Sequence, residues 1–254
     1  MKKLVLLMMT LIAAVAMLVT GCGGEEKQTA KVLRVATNPT FAPFEYQEEG
    51  KQEYAGYDMD LIRALGKQMG YQVDIQSMGF DALIPALNAK NIDVAISGMS
   101  INDERKKVVL FADPYYTSGL IIVVAKDNEK IKNLDDLQGK TIACQIGTTG
   151  EKLARSVAGA KVKAFNHNTE ATLELKTGGA DAVINDVPVA KYYLAQGGSE
   201  FAKTVGEVMD AEQYGIAMNK DNTQLAAEMN KAMAELKKNG EFDKIYAKWF
   251  GAAK

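Results

Sequence analysis

Two cysteines and a single histidine in 254 residues leave little for a soft metal or a disulfide framework. That excludes a disulfide-stapled scaffold and withholds the ligand set of an ordinary zinc site. Runs of one charge are missing too. The chain has 30 basic and 32 acidic residues, and without basic tracts it lacks an electrostatic grip for nucleic acid or anionic lipid. No apolar run reaches the roughly 20 residues that cross a bilayer as a helix. The longest uncharged apolar stretch, Leu4 to Val19, has sixteen. What is present is 47% apolar and 24% charged residues, the mixture of a folded globular protein.

Met1-Lys2-Lys3 followed by that stretch has the layout of a secretory leader. It ends in Leu18-Val19-Thr20-Gly21-Cys22, which resembles the bacterial lipobox, where the leader is cut before the cysteine and the thiol is acylated. Gly23 to Gln28 then form a polar tether. An ordinary cleaved signal with an incidental cysteine is the alternative. The expected layout is a signal peptide over 1–21, a lipidated tether over 22–31, and a body that meets the membrane only through the lipid on Cys22. Removing Lys2 and Lys3 with the leader leaves 28 basic against 32 acidic residues. Such a body suits one large or two small domains. Cys144, in the apolar run Thr141-Ile142-Ala143-Cys144, is expected to be a packing residue.

β-branched apolar stretches at 32–36, 73–75, 94–96, 121–124, 141–143, 162–164 and 182–184 alternate with helical periodicities at 60–69, 81–89, 149–157, 171–177 and 187–194. The tail is helical over 223–238 and 242–250, broken at Asn239-Gly240. Alternation of this kind predicts an α/β fold with largely parallel sheets. A faint repeat organises it. Leu87, Asp93 and Ile96 are spaced as Leu175, Asp181 and Ile184, each series closing on a polar pair, Ser97-Gly98 or Asn185-Asp186. The opening strands match as well: Leu33-Arg34-Val35-Ala36 runs into Thr37-Asn38, and Lys140-Thr141-Ile142-Ala143 into Cys144-Gln145. Two similar lobes facing each other at their strand ends would enclose a cleft.

Four segments could furnish it. Ser97 to Lys107 brings Gly98, for close backbone approach, the Ser100 hydroxyl, and Arg105, whose fork suits a carboxylate. Gln145 to Lys152 is a strand end feeding a helix, with Thr148 and Thr149 at the turn; it lacks the Gly-Lys-Ser/Thr ending of a phosphate loop. Asp186 suits an ammonium group, and Phe41 and Phe80 could hold an aliphatic stem. Each has an ordinary alternative: a solvated charged turn, an N-cap, a helix cap and core packing. Together they describe a site for a free α-amino acid.

The chain resembles the family 3 extracellular solute-binding proteins, the polar amino acid receptors of ABC importers, over roughly Val32 to Phe250. The motifs are Gly56-Tyr57-Asp58-Met59-Asp60-Leu61, Gly98-Met99-Ser100 through Lys107, Phe111 to Tyr116, Leu134 to Lys140, and Lys248-Trp249-Phe250. The resemblance implies a periplasmic-binding-protein-like α/β fold. Its two lobes, 32–117 plus 219–254 and 118–218, would be joined by a two-segment hinge near Tyr116–Ile121 and Tyr214–Met218. It also implies an extracytoplasmic monomer with an ABC permease as partner. Gly98, Ser100, Arg105 and Thr149 would hold the α-carboxylate, Asp186 the α-amine, and Phe41 and Phe80 would stack on the ligand. Asn38 and Gln145 fall where family members meet the ligand side chain. Both are neutral amides, so glutamine is the expected ligand, with a basic amino acid as the alternative.

No cofactor, metal or nucleophilic triad is expected, since His167 is the only imidazole and lies between Asn166 and Asn168. A rival of another class is a cyclohexadienyl-dehydratase-like enzyme on the same fold. It would need a cleft acid with a raised pKa, for which Glu45 is the loop acid at hand.

Overall fold

The structure is a computed structural model that describes residues 31–251; the expected leader, Cys22 and the tether up to residue 30 lie outside them. The first half in chain order is β1 (Lys31–Thr37), β2 (Thr40–Phe41), β3 (Glu45–Gln47), β4 (Tyr54–Ala55), α1 (Tyr57–Met69), β5 (Tyr71–Ser77), α2 (Leu83–Asn88), β6 (Val94–Ala95), α3 (Asp103–Lys106) and β7 (Val109–Phe111). Then come β8 (Tyr116–Ala125), β9 (Thr141–Gln145), α4 (Thr149–Ser156), β10 (Lys161–Phe165), α5 (Asn168–Lys176), β11 (Ala182–Asp186) and α6 (Val187–Ala195). The chain finishes with β12 (Ala202–Tyr214), β13 (Ala217–Asn219), α7 (Thr223–Lys238) and α8 (Glu241–Phe250).

Two five-stranded sheets, ordered β5-β1-β6-β13-β7 and β10-β9-β11-β8-β12, form the two lobes. In each, three parallel strands are followed by two joined through antiparallel pairings, so that one strand, β13 or β8, runs against the other four. The sheets are therefore mixed rather than wholly parallel. Those two strands of each sheet are the ones through which the chain changes sheet, leaving after β7 and returning between β12 and β13. Both passages run side by side, with Tyr115 N donating to Tyr214 O at 3.0 Å and Ala112 N to Ile216 O at 2.9 Å. β8 starts at Tyr116 and β13 at Ala217, so the sheets change slightly earlier than the expected boundaries at 118 and 219. Backbone pairing of Tyr116 with Tyr214 accounts for the first shift, because it draws Tyr116 into the second sheet.

The repeat has a physical counterpart. Asp93 N donates to Arg34 O at 2.8 Å while Arg34 N donates back to Asp93 Oδ2 at 2.9 Å. Asp181 N donates to Thr141 O at 2.8 Å and Thr141 N to Asp181 Oδ2 at 2.8 Å. The same aspartate thus ties the helix-to-strand turn to the opening strand in both lobes.

Alternation along the strands feeds two cores per lobe. Leu33 and Val35 pack with Leu61, Ile62, Leu65, Met229 and Met233 on one face of the first sheet, while Ala36 joins Leu83, Leu87 and Ile92 on the other. In the second sheet Leu120, Ile122 and Val124 face Ile142, Cys144 and Ile184, and Ile121 and Val123 face Ala171, Leu175 and Ala190. Burial on both faces explains why the central strands have continuous apolar sequences. Cys144 is buried and free, and burial pushes its thiol up to about 12. It is a packing residue.

Candidate functional site

The carboxyl ends of β1, β6, β9 and β11 converge on a narrow cavity of about 10 Å³. All nine residues expected to meet a ligand line it: Asn38, Phe41, Phe80, Gly98, Ser100, Arg105, Gln145, Thr149 and Asp186. Glu45, Ser97 and Thr148 complete the wall.

Arg105 sits in the one-turn helix α3, where its own N–H is capped by Asn102 Oδ1 at 2.9 Å. Its guanidinium donates to Ser100 O at 2.7 Å and, from the first-sheet side to the second, to Gly147 O at 3.0 Å. It lies 5.3 Å from the centre of the Phe80 ring. Burial lowers its pKa, opposed by the charges of Glu212, Asp186 and Glu104; a guanidinium stays protonated under these conditions. The geometry suits a fork held ready for a carboxylate.

Asp186 ends β11 at the N-cap of α6, yet its side chain caps nothing. Oδ1 instead accepts from Ser118 Oγ at 3.1 Å and from Tyr214 OH. Burial and then the Glu212 charge push its carboxyl up to about 7, against the pull of Tyr214, Ser118 and Arg105. Released from capping, this buried carboxylate faces the cavity and can receive an ammonium group. The bland helix-cap explanation of Asp186 fails on this geometry. The N-cap explanation holds for Thr148, whose Oγ1 accepts from Glu151 N at 3.1 Å and places Thr149 at the head of α4.

Several side chains are committed differently from the sequence reading. The Gly98 N–H donates to Asp58 Oδ2 at 2.9 Å. Its φ is +51°, and a Cβ there would stand 2.8 Å from the Phe41 ring. The missing side chain makes room for that ring rather than for close approach of a ligand. The Ser100 hydroxyl donates to Glu212 Oε2 at 2.8 Å. Gln145 Nε2 donates to Asn38 Oδ1 at 3.1 Å and to Asn166 O at 3.1 Å. Asn38 Nδ2 donates to Met78 O at 2.9 Å, and Thr40 Oγ1 donates to Asn38 Oδ1 at 2.6 Å. The two amides are thus tied to each other across the cleft.

Two acids, Asp58 and Glu212, escaped the sequence reading as parts of this site, and a third, Glu45, entered it only as the acid of the rival enzyme. Glu45 lines the cavity and is fully buried. Asp58 and Glu212, both buried, stand behind Gly98 and Ser100. A usable signal was an acid between two aromatics, Phe44-Glu45-Tyr46, in an otherwise apolar segment.

The model of bacterial extracellular solute-binding proteins, family 3, matches residues 33–252. The chain is 36% identical over 263 residues to the arginine-binding extracellular protein ArtP of Bacillus subtilis (strain 168), covering all of both. Among solved structures it is similar to an ancestral arginine-binding protein bound to arginine, at 47% identity and a TM-score of 0.82, covering 87% of this chain and 98% of that one. The same holds for an ancestral arginine-binding protein bound to glutamine, at 47% identity, a TM-score of 0.81 and equal coverage. The chain belongs to the family 3 extracellular solute-binding proteins.

Proposed function

We propose that this family 3 solute-binding protein captures a basic amino acid, arginine first, outside the cytoplasm and delivers it to the permease of an ABC importer. The charge balance around the cavity carries the reading. Arg105 is the one cation in the wall, against Glu45 and Asp186 in it and Asp58 and Glu212 directly behind. A zwitterion offsets Arg105 with its carboxylate and Asp186 with its amine, which leaves buried negative charge over. A cationic side chain answers that surplus; the amide of glutamine does not. Phe41 and Phe80 offer flat faces for an aliphatic stem and a guanidinium.

This replaces glutamine as first choice. The argument for glutamine rested on Asn38 and Gln145 meeting the ligand side chain, and their amide groups hydrogen-bond each other instead. ArtP and the ancestral protein are named for arginine, and other relatives for histidine or cystine. In this reading Arg105 and Thr149 hold the α-carboxylate with Ser100 beside them, Asp186 holds the α-amine, and Cys22 carries the lipid anchor of a monomer. Ligand contacts contributed from both sheets favour the closed form.

The test is calorimetric titration of refolded body, residues 31–254, with each natural amino acid. Arginine is expected to bind at least about tenfold more tightly than glutamine, a difference of about 1.4 kcal/mol. Binding of glutamine alone would overturn the proposal. One observation favours the dehydratase reading, namely a cleft acid, Glu45, whose carboxyl burial holds well above the usual carboxylate range. Recovery of the ligand unchanged after long incubation removes that reading.

A further inference from the structure

One feature of the wall is not used in gripping an α-amino acid. Glu45 Oε2 and Asp58 Oδ1 are buried side-chain oxygens without a hydrogen-bond partner. The other oxygen of each carboxyl group is well served. Glu45 Oε1 accepts from Ser97 Oγ at 3.0 Å. Asp58 Oδ2 accepts from Gly98 N at 2.9 Å and from Tyr115 OH at 2.7 Å. Both residues are fully buried, Glu45 entering from β3 and Asp58 from α1. The backbone brings the two residues together, with Asp58 N donating to Phe44 O at 2.9 Å, and their served oxygens take donors from consecutive residues, Ser97 and Gly98. Two ionised carboxylates cannot be neighbours in so dry a place, whereas one shared proton makes one oxygen a donor and the other its acceptor. That single proton supplies a partner for both orphan atoms.

We propose that Glu45 and Asp58 share one proton while no cation lies beside them, and that the positive side chain of an incoming basic amino acid displaces it to solvent. Capture of a basic ligand then releases a proton that capture of a neutral ligand does not. One positive charge leaves the pair as another arrives, so the buried charge does not change. This rests on the reading of the site as one for basic amino acids.

The surroundings agree. Burial foremost, then the charge and hydrogen bond of Asp58, hold the Glu45 carboxyl well above the usual range, with Ser97 opposing and Asp186 adding to the rise. Burial lifts Asp58 to about 6 against the donors Gly98 N, Tyr115 OH and Glu45. The two carboxyl groups therefore hold the proton between them and titrate together. Besides these, Arg105 of α3 and Asp186 of β11 share the cavity wall with Glu45, and Glu212 of β12 acts on both. Asp186 receives the α-amine of basic and neutral ligands alike, so its own proton cancels when two ligands are compared.

The experiment is titration calorimetry of the body with arginine and with citrulline, its neutral isostere, at neutral pH in phosphate and in Tris. Those buffers differ in ionisation enthalpy, so the difference in heat counts protons. Arginine is expected to release about one proton more than citrulline, and the ratio of its affinity to that of citrulline to rise about tenfold per pH unit while the pair is still protonated. Glu45→Gln should remove the extra proton and flatten that slope. Equal release for both ligands, or an arginine release unchanged by Glu45→Gln, overturns the proposal. Should that variant not fold or citrulline not bind, the wild-type affinity for arginine decides: a flat profile between about pH 6 and pH 8 overturns the linkage. Tight arginine binding without the proton sinks this inference alone. Absence of arginine binding sinks the basic-ligand reading and this inference with it.

Discussion

The two sheets share one plan and differ where their strands end. Asp93 and Asp181 close the same ring on Arg34 and Thr141. Five residues on, the plan diverges: Gly98 follows β6 and Asp186 ends β11. On the first-sheet side the absent side chain is filled by the Phe41 ring, which lies beside the Glu45–Asp58 pair's donors; on the second, a carboxylate stands free of capping duty. Asn38 and Gln145, which occupy one position in the repeat, meet each other in the cleft. The first side thus carries aromatic faces and the guanidinium, and the second a helix start and a buried carboxyl group. Backbone geometry is retained between the halves, and a few side chains make their faces complementary.

Breaking that complementarity should have the largest effect. Arg105 reaches from the first side to Gly147 on the second and is buried among acids. Arg105→Ala removes both the bridge and the carboxylate fork, with an expected loss of about 2–5 kcal/mol in arginine binding. Calorimetry showing less than about a tenfold loss would mean that the helix start at Thr149 alone grips the carboxylate.

Next in size is a test of the shared plan itself. Asp93 carries more than Asp181, because Arg34 Nε and a terminal nitrogen also donate to it at 3.0 and 2.6 Å. Arg34 is largely solvated, so that ion pair adds little. Asp181→Ala should cost about 1 kcal/mol and Asp93→Ala about 2, read from urea midpoints. Burial works to raise the Asp93 carboxyl, but hydrogen bonding and charge from Arg34 hold it lower than usual. Its extra contribution is therefore present above the unfolded pKa and is lost as pH falls through the lower folded one. Equal costs at neutral pH would remove the distinction between the two rings.

Most of the lobe scaffold was legible because burial on both sheet faces writes continuous apolar strands. β12 was not. It is an edge strand with exposed residues along much of its length, and positive φ at Gly206 and Asp210 together with two register shifts breaks its alternation. α5 begins at Asn168, ahead of the expected 171, because Glu170 Oε2 accepts from His167 N at 3.0 Å and fixes an earlier start. The cavity wall was legible in nine positions, most of them polar or aromatic residues at strand ends or in the segments that follow them. Glu45 and Asp58 were not legible as a pair, since thirteen residues and the β3–β4 turn separate them. Glu212 lay hidden in the unread strand.

The smallest effect sharpens the comparison at the point where equivalent positions touch. Gln145→Ala deletes the hydrogen bond to Asn38 that joins the two sides. A net intramolecular hydrogen bond contributes about 1 kcal/mol, so affinity should fall about fivefold. If that contact only joins the two sides and reads nothing on the ligand, arginine, lysine and glutamine should weaken by the same factor. Asn38→Ala combined with Gln145→Ala should then cost less than the sum of the two single changes, because both remove one shared contact. If the amides instead met the ligand side chain, the loss would be steepest for glutamine and the two substitutions would add. Calorimetry of three ligands against these variants separates a latch from a reader: parallel losses keep the latch, and a glutamine-specific loss returns Asn38 and Gln145 to the ligand.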